Sequence, residues 1–293
     1  SFDIIVNYAL STTVMAVMII LYGVFSRFFA HWLQRRSVIL LAGFLASCAT
    51  VASTCGVAGS SFLTGLFTSV LAIRFGVLLS QVNPKAAMTS CIFAQILASF
   101  IYGYTLMLPG VWGVVLLCLL PFFAAFFSLL DGGKLHYEVP SQVDKISSGF
   151  VRLVLAVALF SIALNVVRGF YPSFIAMDAF SEARGNSSVL FFFTKAALAF
   201  MILLLPTKTN LAKLCYFSFV GLAFLTLPLP VFGLGSELTL ELFGCINALI
   251  NLVIWTLLAG MAYKSGRSPV RLFGIGWGGM ALGSVVGWLI GYE

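Results

Sequence analysis

The chain is poor in charge: Asp, Glu, Lys and Arg make up 9% of its 293 residues, against roughly 25% in ordinary soluble domains. That shortage excludes a solvated globular surface. Acids are the scarcest, nine in all, and the three that share a loop, Asp131, Glu138 and Asp144, lack the paired spacing that acid–base chemistry needs. The two histidines, His31 and His136, each stand beside aromatic or basic residues and belong to no ligand set, so neither a metal nor any other cofactor is expected. The six cysteines, Cys48, Cys55, Cys91, Cys118, Cys215 and Cys245, all fall in apolar runs without CxxC spacing. They read as small buried apolar side chains, which excludes a disulfide framework or a thiolate cluster. With no phosphate-cradling glycine loop either, the chain is not expected to be an enzyme.

What the chain has in abundance is apolar length. Hydrophobic residues make up 61%, the mean hydropathy is +1.10, and ten runs suit the roughly 20 residues that cross a hydrocarbon core. They lie near residues 4–25, 38–58, 61–80, 86–108, 110–130, 150–170, 188–205, 211–234, 238–263 and 270–291. The net charge of +7 is spread over alternate connections. Arg27, Arg35, Arg36, Arg74, Lys85, Lys134, Lys145, Arg152, Lys208, Lys213, Lys264, Arg267 and Arg271 fall on one side, and only Arg168 and Arg184 on the other. Lys and Arg beside helix ends are retained in the cytoplasm, so a multi-pass protein of the cytoplasmic (inner) membrane is expected, with Ser1 and Glu293 both extracytoplasmic. A basic surface spread so thinly is not one that tracks phosphates, so no nucleic acid is expected to bind this segment. Permeases of bacterial type usually keep both termini in the cytoplasm. The opposite parity predicts a fragment that lacks one helix at each end of a twelve-helix protein.

The one long polar connection, residues 131–148, divides the runs five and five. The predicted architecture is an all-α polytopic membrane protein with a five-helix half at 1–130, a cytoplasmic loop at 131–148 and a second five-helix half at 149–293, facing each other across a central cavity. Asn83-Pro84 and Ser268-Pro269 place a capping side chain before a proline at the first helical position. Pro121 falls inside a span and has to be accommodated by its neighbours. Gly279, Gly283, Gly287 and Gly291 recur at every fourth position of the last span, which predicts a groove for close backbone approach.

Polar side chains inside spans each cost several kcal/mol unless they face a partner or a wet cavity, so they mark the candidate site. Lys195, near the middle of its run, would seek a carboxylate, water or an anionic ligand, and Glu241 is the acid best placed to pair with it. Asn247, Asn251 and Trp255 form a stripe at i, i+4 and i+8. Asn165 and Arg168 lie close together near one helix end, and Gln95, Ser99 and Tyr102 share a face, as Asn7 and Ser11 do in the first run. Interhelical hydrogen bonding explains each set alone, and their concentration on a few helices favours a shared ligand-binding cavity. The expected partners are therefore the lipid bilayer and a small molecule.

Two stretches resemble known families. Tyr22 to Gly43 (YGVFSRFFAHWLQRRSVILLAG) resembles the connection between helices two and three of the major facilitator superfamily, where a glycine, an acid and a basic cluster form a gating loop. Gly23, Arg27, Arg35 and Arg36 match; Ser26 stands near the place of the acid, a departure from the pattern of a facilitator that completes a transport cycle. The resemblance implies that the first helix here is similar to helix two of that fold and the last to helix eleven. Leu63 to Gln81, Trp255 to Ala262 and Ser268 to Trp288 resemble the facilitator-like domain that precedes a LuxR-type helix-turn-helix in regulators of gut-dwelling actinobacteria. That implies a small-molecule sensor domain, with a DNA-binding domain beyond residue 293. The alternatives are a facilitator transporter of a small solute and a complete ten-helix permease resembling drug/metabolite transporters.

Overall fold

A computed structural model describes residues 2–33, 35–108, 110–130, 148–174, 237–265 and 267–292. The runs at 188–205 and 211–234, Lys195 and nearly all of the central loop lie outside the described residues. Within them the chain is helical: α1 (Phe2–Val24), α2 (Ser26–Trp32), α3 (Arg36–Thr54), α4 (Ser60–Leu79), α5 (Pro84–Met107), α6 (Gly110–Leu130), α7 (Ser148–Phe174), α8 (Glu237–Ser265) and α9 (Pro269–Tyr292). Five of these are long and apolar enough to cross a membrane. A sixth is added if α1 and the short α2, bent by 105° from each other, count as one broken span.

The helix boundaries follow local chemistry. The Asn83 side chain accepts the Ala86 N–H at 2.8 Å and Pro84 opens α5, while Ser268 Oγ accepts the Arg271 N–H at 3.4 Å ahead of α9. The turn between α3 and α4 uses Gly56 and Gly59 at φ of 75° and 80°, backbone that a side chain would strain. Pro121 inside α6 disturbs its own helical ladder, and the Phe122 N–H is taken up by Ser47 Oγ of α3 at 3.2 Å. The expected accommodation of the proline therefore comes from a hydroxyl on a neighbouring helix.

Helix directions can be read from the contacts. Gly23 and Ile20 of α1 meet Gly274 and Gly278 of α9, so these two run antiparallel; Val154 and Ala158 of α7 meet Gly279 and Gly283, so α7 and α9 run parallel. Gly76, near the end of α4, meets Phe273, near the start of α9. One end of the bundle thus gathers Arg27, Arg35, Arg36, Lys85, Arg152, Lys264, Arg267 and Arg271, and is called the basic end below. Arg74 lies near the same end, inside α4: it is 3% exposed and donates from Nη2 to the Ser128 carbonyl of α6 at 3.3 Å.

The centre of the bundle is α9, which packs along α7 and α1 and touches α8 and α4. Its buried core includes Phe273, Val270 and Leu272, joined by Ile19, Ile73 and Leu258 from the helices around it. Large apolar side chains such as Trp112, Phe127, Leu155 and Leu159 stand exposed on the outer helices. A surface of this kind belongs against lipid and not water.

Candidate functional site

Apart from Gly276, which meets Leu258 of α8, the described glycines of α9 lie toward α7 or toward α1, and this decides what the remaining face does. Toward α7, a Cβ at Gly279 would lie 2.9 Å from Val154 Cγ1, and one at Gly283 would lie 2.6 Å from the Ala158 carbonyl oxygen. A Cβ at Gly287 would collide with the Ile162 carbonyl, and Gly291 follows a turn later, also buried. Toward α1, a Cβ at Gly274 would lie 2.8 Å from the Ile19 carbonyl, and one at Gly278 would lie 2.6 Å from Ile20 Cγ1. Without an apolar driving force between helices in lipid, close backbone approach and interhelical hydrogen bonds hold such contacts together. Ser161 of α7 supplies the latter, sharing a hydrogen bond with Ser284 of α9 at 2.6 Å and donating to the Met280 carbonyl at 3.1 Å.

The third face of α9 carries Trp277, Ala281, Ser284 and Trp288 at i, i+4, i+7 and i+11, one stripe about 16 Å long. It lines a cleft of about 140 Å³, closed by Thr12 and Met15 of α1, Asn165 of α7 and Asn251 of α8. The cleft occupies the part of the bundle away from the basic end. Asn165 is 4% exposed, and its Nδ2 donates to the Ser161 carbonyl at 2.8 Å. A carbonyl only accepts, so the orientation of the amide is fixed, and Oδ1 and the second N–H of Nδ2 remain for other partners.

Between the cleft and the basic end stands an aromatic cluster drawn from three helices. The Trp255 ring of α8 lies 5.3 Å from Phe75 of α4, 5.2 Å from Phe273 and 4.8 Å from Trp277, both of α9, between ring centroids. Phe273 is fully buried and fills the space that a side chain at Gly76 would need, with Phe273 Cγ 2.6 Å from a Cβ placed there. Just beyond, Gly23 and Gly274 bring α1 and α9 into backbone contact, with Ile275 N 2.8 Å from a Cβ placed on Gly23. Among the described residues the basic end is closed, and Trp277 belongs both to the closure and to the cleft.

The candidate residues divide accordingly. Asn165 and Asn251 meet at the cleft, and Trp255 sits in the aromatic cluster one turn nearer the basic end. Gln95 is half-buried on α5, whose contacts are with α8 and α6. The backbones of Tyr102, Arg168, Glu241 and Asn247 are helical, but their side chains lie outside the described residues, as do those of Asn7 and Ser99. Ser11, on the same stripe of α1 as Asn7, has its carbonyl against Gly65 of α4. No group of three or more His, Cys, Asp or Glu that could hold a metal occurs among the described residues. Sequence reasoning passed over Ser161, Ser284, Phe75, Phe273 and Trp277. The i, i+4, i+7, i+11 stripe of α9 was the available signal, hidden behind the more regular glycines.

No family model matches the chain, and no curated protein matches it. A solved structure does: the crystal structure of a bacterial homologue of the iron transporter ferroportin, in its outward-facing state. The match covers 99% of this chain and 85% of that one, with a TM-score of 0.57 at 16% identity. The likeness is one of fold: this chain shares the multi-pass, helical membrane architecture of that protein.

Proposed function

We propose that the chain carries a small solute across a cytoplasmic membrane by alternating closure of its two ends. One observation supports this above the others: a mostly apolar cleft with a few polar side chains inside the bundle ends on an aromatic barrier, and Trp277 is part of both. A solute in the cleft would contact a side chain whose packing holds the basic end shut. Differential binding to two arrangements of the helices is all that alternating access requires. With the basic end in the cytoplasm and residues 1 and 293 outside, as the charge pattern predicts, the described arrangement is the one open toward the exterior. The two five-helix halves, 1–130 and 149–293, would then be the moving bodies, meeting at the glycine contact of α1 with α9. Lys195 and Glu241, paired with each other, and Asn247, Arg168 and Tyr102 around the same cavity belong to this reading as a proposal.

A second reading, the sensor domain of a LuxR-type regulator with a DNA-binding domain beyond residue 293, rests on Ser26. It is buried at the turn between α1 and α2, where the facilitator gating loop would carry an acid. Ser26 brings no carboxylate to that place in the motif, and a chain that binds solute without completing the cycle becomes a sensor.

Accessibility separates the two. In a cysteine-free background reconstituted in liposomes, Thr12→Cys lies in the cleft and should react with an impermeant maleimide from the face opposite the basic end. Reaction from both faces, exchanging with time, supports transport. Reaction from one face only, under every condition, supports sensing. Reaction confined to the basic face contradicts the assigned closure.

A further inference from the structure

We infer that the cleft between α1, α7, α8 and α9 takes a small, uncharged, hydrogen-bond-donating molecule with a flat apolar body, seated on Trp277 and held by Asn165 Oδ1. The inference rests on the reading of the cleft as the solute site and adds the class of solute.

Size comes first. A cleft of about 140 Å³ is close to the engineered cavity of about 150 Å³ that holds one benzene, so the ligand has on the order of six to ten heavy atoms. Shape comes from α9. Trp277 and Trp288 stand at the two ends of its stripe with Ala281 between them, and the small residue leaves room for a flat body beside the indoles, which prefer offset or edge contacts with other rings. Polarity comes from Asn165. Its Nδ2 gives one hydrogen to the Ser161 carbonyl at 2.8 Å, which leaves the Oδ1 acceptor and one further N–H, and the matching ligand group is a hydroxyl, which donates to Oδ1 and can also accept. Charge comes last. None of the described lining residues is charged, so a carboxylate or ammonium entering the cleft would lose hydration without meeting an opposite charge among them. The indole faces attract cations, but no carboxylate stands beside them in that lining to neutralise one.

The full chain in detergent micelles, titrated calorimetrically with three probes of similar size, tests this. Resorcinol is flat, neutral and a donor; benzoate and benzylammonium keep the ring and add a charge of either sign. Resorcinol should bind saturably, and the two ions about ten-fold more weakly or worse. Asn165→Thr should weaken resorcinol by about five-fold, the loss of one neutral hydrogen bond. That variant should still fold, because a threonine hydroxyl bonds the carbonyl four residues back, as Thr13, Thr50 and Thr256 do. Ala281→Leu, which fills the cleft and leaves the Ser161–Ser284 pair alone, should abolish binding.

Tighter binding of benzoate or benzylammonium overturns the uncharged class. Unchanged resorcinol affinity in Asn165→Thr overturns the assigned acceptor, and unchanged affinity in Ala281→Leu, or no saturable binding of any probe, overturns the cleft as the site of this chemistry. None of these results alters the Thr12→Cys accessibility pattern, so failure of the ligand class and failure of the transport reading are told apart.

Discussion

Trp255 and Trp277 meet ring to ring, with centroids 4.8 Å apart, at the level where the cleft ends and the closed basic end begins. Trp255 also touches Phe75 and Phe273, so one side chain of α8 ties α4 and α9 together. Trp255→Ala should therefore do two things at once. It should lower stability by about 2–3 kcal/mol, below the cost of removing a fully buried aromatic because Trp255 is half-buried, read from unfolding in detergent. It should also admit maleimide to Thr12→Cys from the basic end. Lost stability with no change in accessibility would reduce the cluster to ordinary packing.

The glycine contact of α9 with α7 yields a prediction with its own control. Gly283→Ala places a methyl 2.6 Å from the Ala158 carbonyl oxygen. Backbone cannot yield as a flexible side chain can, so the helices must part, at about 1–3 kcal/mol. Gly149, also in α7, has nothing within 4 Å of a Cβ. Gly149→Ala should be neutral, or stabilising by up to about 1 kcal/mol through helix propensity. Equal effects at the two positions would show that the close approach contributes nothing.

Much of this arrangement is legible in the sequence, and the part that is not has a physical reason. Helix existence follows from apolar length: α3, α4, α6 and α9 fall within a few residues of the predicted runs, and Asn83-Pro84 marks the start of α5 as the capping rule says. The α9 glycines are legible as a groove, but not which helix fills it, because the α7 residues that do so, Val154, Ala158 and Ile162, are unremarkable apolar positions. Two further partners are invisible to periodicity. Arg74 reads as a basic residue near a helix end, and its partner, the Ser128 carbonyl, lies on another helix. Trp255 extends the asparagine stripe by sequence, and its neighbours Phe75, Phe273 and Trp277 come from α4 and α9. Partners of this kind come from other helices, and spacing along one helix says nothing about them.

Ser47 and Pro121 form a testable pair. The hydroxyl of Ser47 accepts the Phe122 N–H beside the proline, so Ser47→Ala should destabilise by about 0.5–1.5 kcal/mol, in the range of hydrogen bonds measured within membranes. In a Pro121→Ala background α6 can close its own ladder, and the same Ser47→Ala change should then cost less. A double-mutant cycle reads the coupling. If the coupling is zero, the Ser47 contact does not compensate for the proline.

The outward faces decide whether lipid is the solvent of this protein. Leu159 is 65% exposed near the middle of α7, two residues from Ser161, whose hydroxyl is buried against α9. In water an exposed leucine replaced by arginine is close to neutral, within about 0.5 kcal/mol. At the centre of a membrane helix the same change costs about 2.5–3.5 kcal/mol on insertion scales, even with snorkelling. Leu159→Arg should therefore reduce the folded, membrane-inserted fraction sharply. Arginine at Phe28, 76% exposed on the short α2 at the basic end, should be tolerated because the charge reaches the headgroups there. Stability is to be measured for both variants in the same bilayer. The difference between them is the diagnostic quantity, since a general intolerance of arginine would lower both alike, whereas a hydrocarbon slab penalises only the position at its centre. If Leu159→Arg proves as harmless as Phe28→Arg, α7 does not face acyl chains at that depth, and its exposed side must be covered by another part of the protein.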